Sequence, residues 1–367
     1  LEGVEEARSL KQAKVAGRLR VQLQHASGKA GAPVVTDEAS KGPKPKLRVR
    51  LGRVSDAERK GAATGIADEG MLGALADLCS AKPDTAAPLP AAFVTRVLAA
   101  AEEQLWTRRH EAVAELKLPR GEEQRSRVVV VGDLHGQLQD LLWIFHKHGL
   151  PSSSQAYLLN GDVADRGQHA IEIYTLVLGL MVARPGCILL NRGNHEDEMM
   201  NHGPVGGFYN ECLSKYGRAE GGQIYDAMKR VFALLPLATI LEESVFLVHG
   251  GLSRCPHLLR LLRSLGSRSA SLPSDPHTAQ EQAMIDVLWS DPSEVPGIQP
   301  SSRGSNLVRF GPDVTSTFLR ETGLGLVVRS HEVPPNNDGI YVMHENRLVT
   351  VFSASNYMGT TGNQGAV

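Results

Sequence analysis

VVVVGDLHGQLQDLL, residues 128–142, decides the fold. Four valines in a row suit a buried β-strand, Gly132 ends it, and an amphipathic run beginning at Gln137 reads as the helix that follows. Asp133 and His135 therefore leave a buried strand at its C-terminal end, two residues apart. Five further stretches repeat the design: AYLLNGDVADRG (156–167), CILLNRGNHE (187–196), VFLVHGG (245–251), GLVVRSHE (325–332) and LVTVFSASNY (348–357). Each is a short apolar run followed directly by a polar cluster. Helical patterns at 137–147 and 170–182 separate the first three, which predicts parallel strands with crossover helices. GIYVMHENRLVTVF (339–352) reads as a hairpin. Pro90–Lys117 carries apolar residues at helical spacing and reads as the helix that opens the compact domain. Trp106, Trp143 and Trp289 read as core residues.

Open α/β sheets bind ligands beyond the carboxyl ends of their strands, so the six strand ends should converge. They bring Asp133, His135, Asp162, Asp165, Arg166, Asn194, His195, His249, Arg329, His331 and Tyr357. Oxygen and imidazole donors dominate and no thiolate is among them. Such a set suits hard to borderline divalent cations (Mn, Fe or Zn), and a pair of them would clamp a phosphoryl oxygen and acidify a water. Phosphate ester hydrolysis is the chemistry that fits.

Composition limits the alternatives. The chain has 367 residues, 42% hydrophobic and 22% charged, with a formal net charge of −1, so no global field draws it to nucleic acid or an anionic membrane. Four scattered cysteines without CxxC spacing indicate neither a disulfide framework nor a thiolate zinc site, and point to a reducing compartment, the cytoplasm or the nucleus. The most apolar run, YTLVLGLMVA, is too short to span a bilayer. Residues 1–85 lack sustained apolar periodicity and read as a basic extension of low order or partial helicity; residues 86–367 read as the catalytic domain. Leu10–Leu23 resembles a basic amphipathic helix, which makes residues 1–60 a candidate docking segment for calmodulin or another regulatory partner. The chain starts at Leu1 and ends in GNQGAV, a strand just starting, so the expectation is a piece truncated at its C-terminus.

GDLHG, GDVADRG, GNHE, HGG, RSHE and SASNY, in this order, resemble the motif set of the phosphoprotein phosphatase family of serine/threonine phosphatases. The resemblance runs from about Pro90 to Val367. It implies an α/β fold of metallophosphoesterase type, a central β-sandwich flanked by helices, and two divalent metal ions. One ion would be held by Asp133, His135 and Asp162, and the second by Asp162, Asn194, His249 and His331. His195 would be the general acid and Asp165 would orient it. Arg166 and Arg303 would grip the phosphate, with Arg309 a rival to Arg303, while Asn194 and Tyr357 would line the phosphate pocket. The implied reaction is hydrolysis of phosphoserine and phosphothreonine in proteins by direct attack of a metal-activated hydroxide. The alternative is a nucleotide or dinucleoside polyphosphate phosphoesterase, which shares the first three motifs. RSHE, SASNY and LWSDP (288–291 with Pro292) favour the protein phosphatases, and RSHE with SASNYMG resembles the EF-hand, retinal-degeneration-C-like branch. No DxDxDG calcium loop occurs in the chain. Ser253–Gln282, basic and Ser-rich, reads as a surface insertion or a regulatory loop.

Overall fold

The computed structural model describes residues 88–118, 127–203, 207–266 and 268–367, together with Gly73. The proposed extension 1–85, including Leu10–Leu23, lies outside the described residues apart from Gly73. The order of elements is α1 (Ala91–Trp106), β1 (Val113–Leu116), β2 (Arg127–Val131), α2 (Leu138–His148), β3 (Gln155–Leu159), α3 (Ala170–Ala183), β4 (Ile188–Leu190), α4 (Glu198–Asn201) and α5 (Phe208–Leu234). Then follow β5 (Ala238–Leu241), β6 (Val245–Val248), α6 (Leu258–Arg263), α7 (Ala279–Trp289), β7 (Asp291–Pro292), β8 (Ile298–Pro300), β9 (Val308–Phe310), α8 (Pro312–Thr322), β10 (Leu326–Arg329), β11 (Ile340–Met343) and β12 (Leu348–Val351).

All six strands read from the sequence form, and they divide between two sheets. The first is parallel, in the order β2-β3-β4; the second is mixed, in the order β1-β5-β6-β10-β12-β11, with β11 and β12 as the antiparallel hairpin. Period-2 alternation sorts their side chains. Tyr157 and Leu159 of β3 pack with α1, α2, α3 and α5, whereas Ala156 and Leu158 meet Leu247, Val328 and Val349 between the sheets. Phe246 and Val248 of β6 face the opposite way, onto α6, α7 and α8. The result is a sandwich with helices on both outer faces, and the sheets join through a parallel bridge pair, Asp133 with Phe352. Helix α3 is buried along almost its whole length, which accounts for the all-round apolar run YTLVLGLMVA. Among the described residues no helix is long and apolar enough to cross a membrane.

Two expectations need correction. The helical pattern of Pro90–Lys117 stops at Trp106, and AVAEL contributes β1, paired in parallel with β5. Pairing with a distant strand overrides the local helical propensity of Ala, Glu and Leu. Trp106 is not core: it is 57% exposed at the end of α1, with the Arg109 guanidinium 4.7 Å from its ring. Ser253–Gln282 holds α6, and its 269–272 stretch is strapped to the body by hydrogen bonds from Arg192 to Ser269 and Ala270 and from Leu272 to Asp197.

Candidate metal centre

The strand ends meet at the seam between the two sheets. Asp133 and His135 follow β2; Asp162, Asp165 and Arg166 follow β3; Asn194 and His195 follow β4; His249 follows β6 and His331 follows β10. Five of these side chains sit on backbone with positive φ: His135 (42°), Asp162 (53°), Asp165 (65°), Arg166 (71°) and His331 (74°). Left-handed conformations in non-glycine residues cost about 1–3 kcal/mol each and persist where the surroundings impose them, as functional sites do. Gly193 shows the crowding, since a Cβ there would collide with Oδ1 and the backbone nitrogen of Asp162.

Asp162 is the centre of the cluster. Its Oδ2 lies 3.3 Å from His249 Nε2 and 3.5 Å from His135 Nε2, while Oδ1 accepts the backbone N–H of His195 at 2.9 Å. Two sets of potential ligands share it: His135, Asp162 and His195 on one side, Asp162, His249 and His331 on the other. Asp133 places Oδ2 3.7 Å from His135 Nε2, and its Oδ1 accepts the backbone N–H of His331. Asn194 Oδ1 lies 2.9 Å from His249 Nε2. His135 and His249 each direct Nδ1–H at a backbone carbonyl, of Ala164 and Asn160, which fixes the tautomer that leaves Nε2 for a cation.

The electrostatics of these groups are those of a site built around positive charge. Burial, together with the neighbouring Asp162, pushes the Asp133 carboxyl up to about 7. Burial also opposes the Asp162 carboxylate, yet His249, His195 and His135 hold it well below the usual range. Burial drives His135 down to about 4 and His331 well below its ordinary value, whereas Asp162 outweighs burial at His249 and lifts it to about 9. Asp133 Oδ2 and His331 Nε2 are buried and have no hydrogen-bond partner among the described residues. Orphaned acceptors of this kind, with oxygen and imidazole donors and no thiolate, fit a pair of divalent cations.

Around the cluster stand His195, Asp165, Arg166, Tyr357 and Arg303. His195 Nδ1 lies 2.6 Å from Asp165 Oδ2, and Asp165 Oδ1 accepts the backbone N–H of Phe208 at 2.7 Å. Burial disfavours the His195 imidazolium, but Asp162 and Asp165 outweigh it and raise the ring's affinity for a proton. Arg166 Nε meets the Tyr357 hydroxyl at 3.2 Å, and the Tyr357 ring lies 5.1 Å from that of His135. Arg303 forms a forked pair with Asp291, Nε to Oδ2 at 2.6 Å and Nη2 to Oδ1 at 3.3 Å, and also reaches the His331 carbonyl at 3.4 Å. Arg309 instead donates to the Pro292 carbonyl from β9. The fully buried Arg329 pairs with Asp291 and Glu332 and supports this corner.

Sequence reading missed three contributors. Glu196 is fully buried and accepts the backbone N–H groups of Asp162 (2.8 Å), Val163 (3.0 Å) and Gly193 (2.6 Å) and the Tyr174 hydroxyl, stitching the β3 and β4 loops together. Its signal was its place directly after Asn194 and His195. Asn201 holds both Asp165 oxygens at 3.1 Å, and Asp291 orients Arg303. Asn201, six residues past His195, carries no sequence signal; Asp291 sat in the quoted LWSDP.

Comparison with known proteins agrees with this geometry. Residues 126–335 match the calcineurin-like phosphoesterase family. Serine/threonine-protein phosphatase rdgC of Drosophila melanogaster is 43% identical over 66% of this chain and 37% of its own length. Serine/threonine-protein phosphatase T of Aspergillus oryzae is 42% identical over 67% of this chain and 49% of its own. The chain thus spans under half the length of these relatives. A solved protein serine/threonine phosphatase from Saccharomyces cerevisiae superposes with a TM-score of 0.66 at 35% identity, covering 76% of this chain and 81% of that one. The chain belongs to the calcineurin-like phosphoesterase family, among its serine/threonine protein phosphatases.

Proposed function

We propose that the protein hydrolyses phosphoserine and phosphothreonine in other proteins. The observation that carries this reading is the shared position of Asp162 in two buried ligand sets, with the His195–Asp165 pair beside it. Asp133, His135, Asp162, Asn194, His249 and His331 would hold two divalent cations, drawn from Mn, Fe or Zn, which when bound would supply Lewis acidity toward phosphoryl oxygens and lower the pKa of a water. The chain's own groups do the rest. Arg166, braced by Tyr357, and Arg303, braced by Asp291, present planar guanidinium donors that match phosphoryl oxygens. Asn194 adds an amide at the same place. His195 keeps Nδ1–H on Asp165 and turns its other ring nitrogen to the leaving oxygen, donating a proton to the serine or threonine alkoxide as the P–O bond breaks. Asp165, fixed by Asn201 and the Phe208 N–H, sets the ring's orientation and stabilises its charge.

Phosphate release from a phosphothreonine peptide and from diadenosine tetraphosphate, with added Mn²⁺ and an Asp162→Asn control, tests the reading. Peptide turnover that the substitution abolishes supports it; turnover of the dinucleotide alone refutes it. Regulation through the basic stretch of residues 1–60 is part of the proposal, with calmodulin as the partner. Failure of calmodulin resin to retain the chain in calcium would remove that part.

A further inference from the structure

Among the described residues, no acidic side chain balances the charge that Arg268 carries into the interior. It lies between α6 and α7, is 8% exposed, and donates from Nη2 to the carbonyl of Leu234 at the end of α5 (3.0 Å). Its Nε and Nη1 are buried and meet no acceptor among the described residues. Burial alone pushes the guanidinium down to about 10, and the group whose charge it perturbs is another arginine, the fully buried Arg192. Buried polar atoms are almost always paired, and an uncompensated buried cation is more expensive still, so such a group calls for a missing partner.

The surroundings say what kind of partner. Arg268 forms part of the wall of an open cleft of about 490 Å³, together with Ser264, Ser269, Ser271, Thr278 and Met284. Hydroxyl groups dominate its polar lining; that of Ser264 donates to the Leu261 carbonyl and that of Ser271 to Glu198, while the Ser269 hydroxyl accepts the Ser271 N–H and keeps its proton for a ligand. Glu281 also borders the cleft, but its carboxylate is engaged by the backbone N–H groups of His277 and Thr278 in the capping box of α7. One edge of the cleft is the strap 269–272. Arg192 holds it through the carbonyls of Ser269 (2.6 Å) and Ala270 (2.7 Å), and Asp197 holds it through the Leu272 N–H (2.7 Å). Arg192 also donates to the carbonyl of Glu196, and Ser271 donates to Glu198. The cleft is therefore wired to the loop that follows His195.

We propose that this cleft binds a tetrahedral oxyanion of the phosphate or sulfate class, with Arg268 as the counter-charge and the Ser269 hydroxyl as a donor. The site is separate from the metal centre, and the inference stands whether or not the proposed activity does. The Arg268 guanidinium would turn toward the anion, which would tighten the strap against residues 196–198.

Thermal unfolding of the full chain in sodium sulfate against sodium chloride, at equal ionic strength, tests it with wild type, Arg268→Met and Arg303→Ala. Sulfate stabilises folded proteins generally, so the readout is the difference between variants. The expected specific gain is about 3 °C at sulfate near ten times its dissociation constant, kept in Arg303→Ala and lost in Arg268→Met. In chloride, Arg268→Met should melt no lower than wild type, because an apolar chain replaces an unpaired buried cation. Equal sulfate gains in wild type and Arg268→Met overturn the proposal. If Arg268→Met does not fold, diffraction from wild-type crystals soaked in selenate decides: an anomalous peak against Arg268 supports the site, and its absence there overturns it.

Discussion

Replacing Glu196 by Gln changes one atom and removes one charge, at a carboxylate whose four hydrogen bonds all come from donors. Oε2 accepts from Asp162 N and Gly193 N; Oε1 accepts from Val163 N and the Tyr174 hydroxyl. The amide NH₂ must face one of these pairs. On the Oε1 side Tyr174 can turn its hydroxyl to accept, which leaves Val163 N as the single buried orphan. That orphan costs about 1–3 kcal/mol, and loss of charge assistance to the other bonds brings the total to about 2–4 kcal/mol. At about 2–4 °C per kcal/mol for a domain of this size, the melting point should fall by roughly 5–12 °C. Activity should fall further than stability implies, because the freed N–H belongs to Val163, directly after Asp162, and the bonds that lose charge assistance hold Asp162 and the residue before Asn194. A shift of about 1 Å in such groups costs about 100-fold in rate. Tyr174→Phe removes only the hydroxyl bond and should cost about 1 kcal/mol with near-normal turnover. Circular dichroism melts and phosphate release on the same samples provide both readouts. Glu196→Gln with wild-type melting and wild-type turnover would refute the role assigned to Glu196.

Asp165→Asn should lower kcat about 100- to 1,000-fold with little change in KM, since it weakens the proton donor without touching the phosphate grip. His195 has its proton affinity raised by Asp162 and Asp165, so the acid is lost as pH climbs through its folded value; without the Asp165 charge the alkaline limb of the pH–kcat profile should move to lower pH. An unmoved limb contradicts the pairing. Arg303→Ala should raise KM for a phosphopeptide at least about tenfold, as loss of a charged hydrogen bond of about 1.5–3 kcal/mol implies, whereas Arg309→Ala should leave KM near wild type. The reverse result would exchange their assignments.

Much of the site was legible because its residues follow apolar strand runs directly, so local pattern placed Asp133, His135, Asp162, His195, His249 and His331 at strand ends without knowledge of the sheet. What was hidden depends on pairing across long separations. Division into two sheets is set by β1 joining β5 and β10 lying between β6 and β12, contacts that no local period announces. AVAEL has helical composition and becomes β1 only because β5 offers a parallel edge. Arg303 and Arg309, six residues apart in one Ser- and Arg-containing stretch, could not be separated until the β8–β9 turn aimed the first at Asp291 and the strand aimed the second at Pro292. Asn201 reaches Asp165 through the short turn of α4, a contact fixed by folding alone.

The central claim is tested most directly by the initial rate of phosphate release from a phosphothreonine peptide with Mn²⁺, for wild type and Asp162→Asn side by side. The account predicts turnover in the wild type and its loss by at least about 1,000-fold in the variant, because Asp162 serves both ligand sets at once. Equal rates in the two proteins, or no peptide turnover in a wild type that cleaves diadenosine tetraphosphate, would contradict it.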